Sequence, residues 1–317
     1  MEISVIIVTY NSSAAIERCL LSIFETLEKV DHEVIVVDNA SRDRTSQIAK
    51  ERFPQILFIE SPTNLGFSRA NNLALQRAKG EFVLFINPDA VWKGGDVKKG
   101  IRFLCDHPEV GALGGRLIRN GESWQKSYGN FPTLGRELKE ALFLPRFLPR
   151  SEWGRGVFVH QERMEPMAVD WISGTFFLCK RDVLINIRGF DERFFLYYED
   201  IDLSKRMREA GKEIYYYPEI EINHFQKFPS IYDFGESPYI YFGIHFGLNS
   251  ALILRYVMIF RTRLRMAMFS SLLLLSGKAS FKDKLLTNFR TFKFHLFKGP
   301  DVIRRLRKGY LNQPRNA

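Results

Sequence analysis

Two groups of carboxylates stand where the chain could do chemistry. Asp89 follows the apolar run 82–86 and the turn Asn87-Pro88. A carboxylate at the end of a buried strand, on a turn stiffened by proline, suits a hard divalent cation that bridges a diphosphate. Asn-Pro-Asp is also ordinary turn chemistry, and in isolation that is the stronger reading. Glu199, Asp200 and Asp202 follow the aromatic run 194–198 and open a helical pattern that Gly211 would end. Acids in a first turn complement the helix dipole, so capping accounts for at least one of them. A carboxylate at a helix N-terminus beside a cleft stays ionised, however, and can take a proton from an attacking hydroxyl. His224 closes an apolar stretch that starts near Glu219. A lone histidine is more often structural, but a neutral imidazole facing Asp89 would complete a site for Mn²⁺ or Mg²⁺.

The elements that must position these residues follow from periodicity. The spacing predicts strands over 3–9, 33–37, 56–59 and 82–86, separated by helices over about 16–27, 44–52 and 68–79. Strands alternating with helices make a parallel sheet with right-handed crossovers, an α/β fold. Its carboxyl-end loops then converge on one rim: Thr9-Tyr10-Asn11, Asp38-Asn39, Asn64-Leu65-Gly66 and Asn87-Pro88-Asp89. Asp and Asn can read the imide edge and ribose hydroxyls of a nucleoside, and Gly66 lets a backbone approach a phosphate. Neither G-x-G-x-x-G after the first strand nor G-x-x-x-x-G-K-[ST] occurs, which argues against dinucleotide-binding and P-loop enzymes. A further strand is expected over 110–117, and the irregular segment 119–165 reads as a lid or recognition loop. Residues 170–175 lead into an apolar run, 176–179, that should return to the sheet.

The chain of 317 residues is 45% hydrophobic, enough for a sizeable core. Its three cysteines, Cys19, Cys105 and Cys179, have neither paired nor metal-type spacing and read as reduced thiols of a cytosolic protein. The start, MEISVIIVTY, lacks a basic n-region and reads as a first strand rather than a signal. Charge divides the molecule. Residues 226–317 hold 16 Lys and Arg against 4 Asp and Glu, whereas residues 1–225 hold 30 against 32. We therefore expect a domain over 1–225 and a basic, mainly helical region over 226–317. The apolar runs 251–260 and 266–275 in that region are broken up by Arg255, Arg261, Arg263 and Arg265. That pattern suits helices lying on an anionic membrane surface better than a span or a nucleic-acid reader.

Taken together, the chain resembles the family 2 inverting glycosyltransferases of the GT-A fold, especially the rhamnosyltransferase-like branch. The resemblance is carried by Val8-Thr9-Tyr10-Asn11, Val36 to Asp43, Asn64 to Phe67, Asn87-Pro88-Asp89-Ala90, Trp171-Ile172-Ser173-Gly174 and Gly189 to Asp202, and it covers about residues 1–230. It implies a Rossmann-like, mostly parallel sheet flanked by helices, and transfer of a sugar from a TDP- or UDP-sugar to a glycan or polyprenyl-linked glycan. Thr9, Asp38 and Asn64 would hold the nucleoside, with Tyr10, Asn11, Asn39, Gly66, Asn87 and Glu199 also in the substrate site. Asp89 and His224 would hold a divalent metal, with Ser230 beside the diphosphate, and Asp200 would be the catalytic base. Trp171 and Gly174 would sit near the acceptor, Trp171 offering a face to a sugar. The expected setting is the inner face of the cell membrane in cell-surface polysaccharide synthesis, in a chain that could form homo-oligomers. Asn87 replaces the first acid of the general Asp-x-Asp motif, and 225–230 lacks the glycines expected there. A catalytically inactive nucleotide-sugar-binding or membrane-associated scaffold protein is the alternative, which the joint presence of Glu199, Asp200 and Asp89 disfavours.

Overall fold

The computed structural model describes residues 1–121, 123–148, 151, 155–159, 161–225 and 235–309. By contact the chain forms two compact units: Met1–Phe131 with Gln161–Phe228, and Pro132–His160 with Pro229–Arg315.

The first unit begins with the expected alternation: β1 (Ile3–Thr9), α1 (Ile16–Thr26), β2 (His32–Asp38), α2 (Thr45–Arg52), β3 (Leu57–Glu60), α3 (Phe67–Leu75) and β4 (Phe82–Ile86). β1, β2, β3 and β4 pair in parallel. Every residue of β1 and β4 is buried, as both faces of a parallel sheet require. Val5 and Ile7 pack with Cys19, Leu20 and Ile23 of α1 in one apolar cluster. Then follow β5 (Ala90–Gly94), α4 (Val97–Asp106), β6 (Val110–Arg119), β7 (Ser123–Gln125) and β8 (Tyr128–Gly129). Helix α4 is closed at its start by the Asp96 carboxylate, which accepts from the Lys98 N–H.

The segment 119–165, expected to be irregular, carries β7, β8 and two helices, α5 (Leu134–Ala141) and α6 (Leu144–Phe147). The chain returns through β9 (Met167–Val169), β10 (Trp171–Ile172), β11 (Phe176–Lys180), α7 (Arg181–Asn186), α8 (Glu199–Glu209) and β12 (Glu213–His224). The main sheet has the order β3-β2-β1-β4-β11-β6-β12-β5. β11 lies antiparallel between β4 and β6, and this reversal lays residues 173–175 against the turn after β4.

The second unit comprises α5 and α6 with α9 (Ser237–Phe246), α10 (Leu248–Ser276), α11 (Ala279–Lys293), a π-helical turn (Phe294–Lys298) and α12 (Gly299–Arg307). α5 thus belongs by contact to the C-terminal helices. Arg261 of α10, 1% exposed, donates from Nη1 to Glu137 Oε2 of α5 at 2.9 Å. Tyr239 and His295 share a hydrogen bond of 2.6 Å, and burial, helped by Arg261 and Arg255, pushes His295 down to about 3, so the ring is neutral. Among the described residues, no helix is long and apolar enough to cross a membrane.

Candidate active site

The carboxyl ends of β1 and β2 build a fixed polar corner. Thr9, fully buried, donates from Oγ1 to Asp38 Oδ1 at 3.0 Å, and the Ser41 N–H donates to Asp38 Oδ2 at 3.0 Å. Asn11 adopts a left-handed conformation, φ 51°. Its Oδ1 accepts from the Arg42 N–H, and its own N–H donates to Ser41 Oγ. Tyr10 beside it is exposed. Asn39 differs from the expectation of a direct substrate contact. Its Nδ2 donates to Gly66 O and its Oδ1 accepts from the Leu65 N–H, so both ends of a buried amide hold the 64–66 loop in place. Asn64 Oδ1 accepts from the Gly66 N–H within that loop. Gly66 has φ 81°, and a Cβ there would lie 2.6 Å from the Phe195 ring, so only glycine fits.

Asp89 leaves β4 on a turn anchored from two sides. The Asn87 N–H donates to Thr175 O at 3.1 Å, and the Phe225 N–H donates to Asp89 O at 3.1 Å. Cys19 Sγ donates to Asn87 O beneath the turn, and burial, with Asp89 nearby, pushes its thiol pKa above the ordinary range, so it stays uncharged. His224, the last residue of β12, places Nε2 at 3.2 Å from Asp89 Oδ2. Its Nδ1 lies 3.1 Å from Gln125 Oε1. A proton on Nδ1, donated to Gln125 Oε1, would leave the Nε2 lone pair for a cation beside the Asp89 carboxylate. Asp89 Oδ2 is buried and accepts no hydrogen bond. His224 Nε2 and the orphaned Asp89 Oδ2, 3.2 Å apart, fit a divalent cation as two ligand atoms. Among the described residues no cluster of three or more His, Cys, Asp or Glu side chains forms a larger metal site. Ser230 lies outside the described residues.

The second carboxylate group divides by role. Asp202 is fully buried and accepts from Arg206 Nε at 2.7 Å one turn along α8, which makes it structural. Tyr197 and Tyr198 enter α8 with φ 67° and 70°, consecutive left-handed residues of the kind that cluster at functional sites. Asp200 Oδ2 accepts from the Gly174 N–H at 3.0 Å, and its Oδ1 from the Ile201 N–H at 2.8 Å. Burial raises the Asp200 pKa against the opposing pull of these amides. Glu199, 5% exposed, has an Oε2 without a hydrogen bond; burial first, then Asp200 and Asp202, hold its pKa well above the usual carboxylate range. Both shifts favour the neutral carboxyl, the one on Glu199 the more strongly. Trp171 corrects the sequence reading. It is 2% exposed, its indole N–H donates to Asn130 O, and it has no free face to offer a sugar.

The profile of the family described as glycosyl transferase family 2 matches residues 4–188. An N-acetylglucosaminyl-diphospho-decaprenol L-rhamnosyltransferase of Mycobacterium tuberculosis is 34% identical over 234 residues, which cover 69% of this chain and 75% of the relative. The chain belongs to glycosyl transferase family 2. A second relative of this family 2 chain, rhamnosyltransferase WbbL of Escherichia coli K12, is 25% identical over 70% of this chain and 82% of its own. Among solved structures, S. aureus TarS 1-349 matches with TM-score 0.51 and 19% identity, covering 99% of this chain and 89% of that one. Mannosyltransferase PcManGT from Pyrobaculum calidifontis, in complex with GDP-Man and Mn²⁺, matches with TM-score 0.54 and 17% identity over 94% and 87% of the two chains. The fold is that of the GT-A glycosyltransferases. The family match ends before Glu199, so it speaks to the strand-end loops and not to α8.

Sequence reasoning on this family 2 transferase missed two residues. Gln125 faces His224 from β7, and nothing in its short strand announces this. Asn72, in the middle of α3, donates from Nδ2 to Phe190 O and Glu192 Oε1 and accepts at Oδ1 from the Phe190 N–H. Two consecutive asparagines inside a helix, where their propensity is poor, were the available signal. Because 190–198 leads directly into Glu199-Asp200, Asn72 ties α3 to the approach of α8. Asn72→Ala should cost about 1–3 kcal/mol through unsatisfied buried groups. It should also lower kcat about 10-fold or more through misplacement of Asp200, with nucleotide affinity unchanged. Urea unfolding, steady-state kinetics and calorimetry check the three parts, and an unchanged kcat would reduce Asn72 to a packing residue.

Proposed function

We propose that the chain transfers a sugar, rhamnose as the first choice, from a TDP- or UDP-sugar to a glycan or polyprenyl-linked glycan, with inversion, in cell-surface polysaccharide synthesis. The setting is the inner face of the cell membrane, where its basic C-terminal region meets an anionic surface. The names of the two rhamnosyltransferase relatives support the sugar and, for the mycobacterial one, a lipid-linked acceptor.

One observation carries the catalytic reading: the loop 173–175 joins both carboxylate centres. Its Gly174 N–H donates to Asp200, and its Thr175 carbonyl accepts from Asn87, two residues before Asp89. One loop thus touches both Asp200 and the turn that carries Asp89, which supports pairing a base with a metal-bound diphosphate. Asp38, Thr9 and Asn64 hold the nucleoside, and Gly66, which leaves room for Phe195, keeps the 64–66 loop beside them. Asp200 takes the proton of the acceptor hydroxyl, which attacks the anomeric carbon from the face opposite the nucleotide; a single displacement inverts that carbon. Burial and the neighbouring carboxylates favour the protonated form of Glu199, which eases the charge beside Asp200. Mg²⁺ or Mn²⁺, held by Asp89 and His224, would neutralise the charge developing on the departing diphosphate.

Nucleotide release measured across TDP-, UDP- and GDP-sugars, with and without a polyprenyl-diphosphate-linked N-acetylglucosamine, tests the reading. We expect acceptor-dependent release from one donor and a product of inverted anomeric configuration by NMR. Retained configuration would sink the single-displacement mechanism, and release that ignores the acceptor would sink the transfer.

A further inference from the structure

Helix α10 is two different helices in its burial. Its buried residues, Ala251, Leu254, Met258, Arg261 and Thr262, all lie in the first half. From Arg263 to Ser276 no residue is buried, although the stretch includes the apolar run 266–275. The helix ends at Gly277 in a left-handed cap, φ 63°, and α11 begins two residues later. At the tip of this helical hairpin Leu274 is 87% and Leu275 85% exposed, the two highest values among the large apolar side chains of the described residues. Apolar surface of this kind marks a contact when it is contiguous. On α11 of the same hairpin, Leu286 and Phe289, three residues apart and so on one face, are also exposed.

Charge identifies the partner. α10 carries four arginines and no acid, and α11 carries Lys282, Lys284, Arg290 and Lys293 against Asp283 alone. Lys278 and Lys282, within two turns of the exposed leucines, have no ion-pair partner among the described residues. The Lys284 ammonium lies over the rings of Phe269 and Phe281, which stack across the hairpin, and the Lys293 ammonium lies over Phe289. Leucines at an extremity with lysines directly behind them match the layering of a phospholipid leaflet, hydrocarbon below phosphate. Depth is limited by sequence. The ten residues 266–275 extend about 15 Å as helix, half of a hydrocarbon core of about 30 Å, and Arg263 and Arg265 precede them.

We propose that the α10–α11 tip inserts Leu274 and Leu275 into one leaflet of an anionic phospholipid membrane, with Lys278 and Lys282 on the headgroup phosphates. The inference rests on the peripheral attachment proposed above and names the surface that makes it. Sedimentation of the full chain with vesicles of phosphatidylcholine, alone and with about a third phosphatidylglycerol, separates the two. We expect binding to the anionic vesicles that weakens with salt without vanishing. The double variant Leu274→Ser/Leu275→Ser should lower the partition at high salt at least ~10-fold. Lys278→Gln/Lys282→Gln should lower it at low salt by ~5-fold per charge, the fall confined to the anionic vesicles. Unchanged nucleotide affinity shows that the variants fold. If the full chain binds no vesicle, the attachment itself is wrong. If it binds and the leucine variant binds equally, attachment stands and the tip is overturned. If the leucine variant instead changes an oligomer to a monomer on sizing with vesicle binding untouched, the tip is a contact between copies and the lipid assignment falls.

Discussion

Asp200→Asn is expected to lower kcat by at least ~100-fold while donor affinity stays nearly the same, because the substitution keeps the volume and removes the one group placed to accept the acceptor's proton. Both carboxylate oxygens of Asp200 already accept backbone N–H groups, from Gly174 and Ile201. These bonds fix its direction and favour its ionised form, whereas burial opposes ionisation and wins, so its pKa lies above the ordinary aspartate value. The sign follows. A base works ionised, so activity is full above the folded pKa and is lost as pH falls through it, and the raised value moves that loss to higher pH than an exposed aspartate would give. Glu199 behaves oppositely with respect to stability. Its folded pKa is raised well above 4.5, so its contribution is full below that value and is lost as pH rises through the folded pKa. Glu199→Gln, which mimics the protonated acid, should therefore flatten the decline in stability on the alkaline side and keep turnover. Kinetics and urea unfolding across a pH series check both. If Asp200→Asn turns over normally, the base is another group, and Glu199 is the first to examine.

The second large effect is expected at Asp89. With Mn²⁺ present, Asp89→Asn should weaken binding of UDP or TDP at least ~100-fold, since loss of even a supporting residue around a metal costs ~10–100-fold. The orphaned Oδ2 and the Nε2 of His224, 3.2 Å apart, supply the reason. Gln125→Ala leaves both ligand atoms and removes the partner of His224 Nδ1, so it should fall within that ~10–100-fold range. Titration calorimetry with and without metal distinguishes the cases. Equal affinity for wild type and Asp89→Asn in metal would remove Asp89 from the diphosphate site. A graded series from wild type through Gln125→Ala to Asp89→Asn, visible only with metal, supports the pair as ligands.

The strand-end loops were legible because they depend on local pattern. Continuous apolar runs alternating with helical spacing over the first 86 residues dictate parallel strands, and parallel strands joined by crossovers necessarily turn Thr9, Asp38, Asn64 and Asp89 toward one edge. The acids of 199–202 and the basic excess after residue 226 were likewise written in the order of residues. Partners distant in sequence were not. The antiparallel entry of β11 between β4 and β6 brings Gly174 to Asp200, 26 residues away. An asparagine reads alike whether it faces a ligand or a neighbouring loop, and only the approach of Leu65 and Gly66 turned Asn39 inward. Trp171 has the composition of a sugar platform, and its burial under the chain around Asn130 decided otherwise. Asn72 and Gln125 entered the site through contacts 118 and 99 residues apart. Local propensity selects helices and strands from neighbours a few residues away, whereas the direction of a polar side chain is chosen by whichever distant backbone leaves a donor or acceptor unpaired beside it.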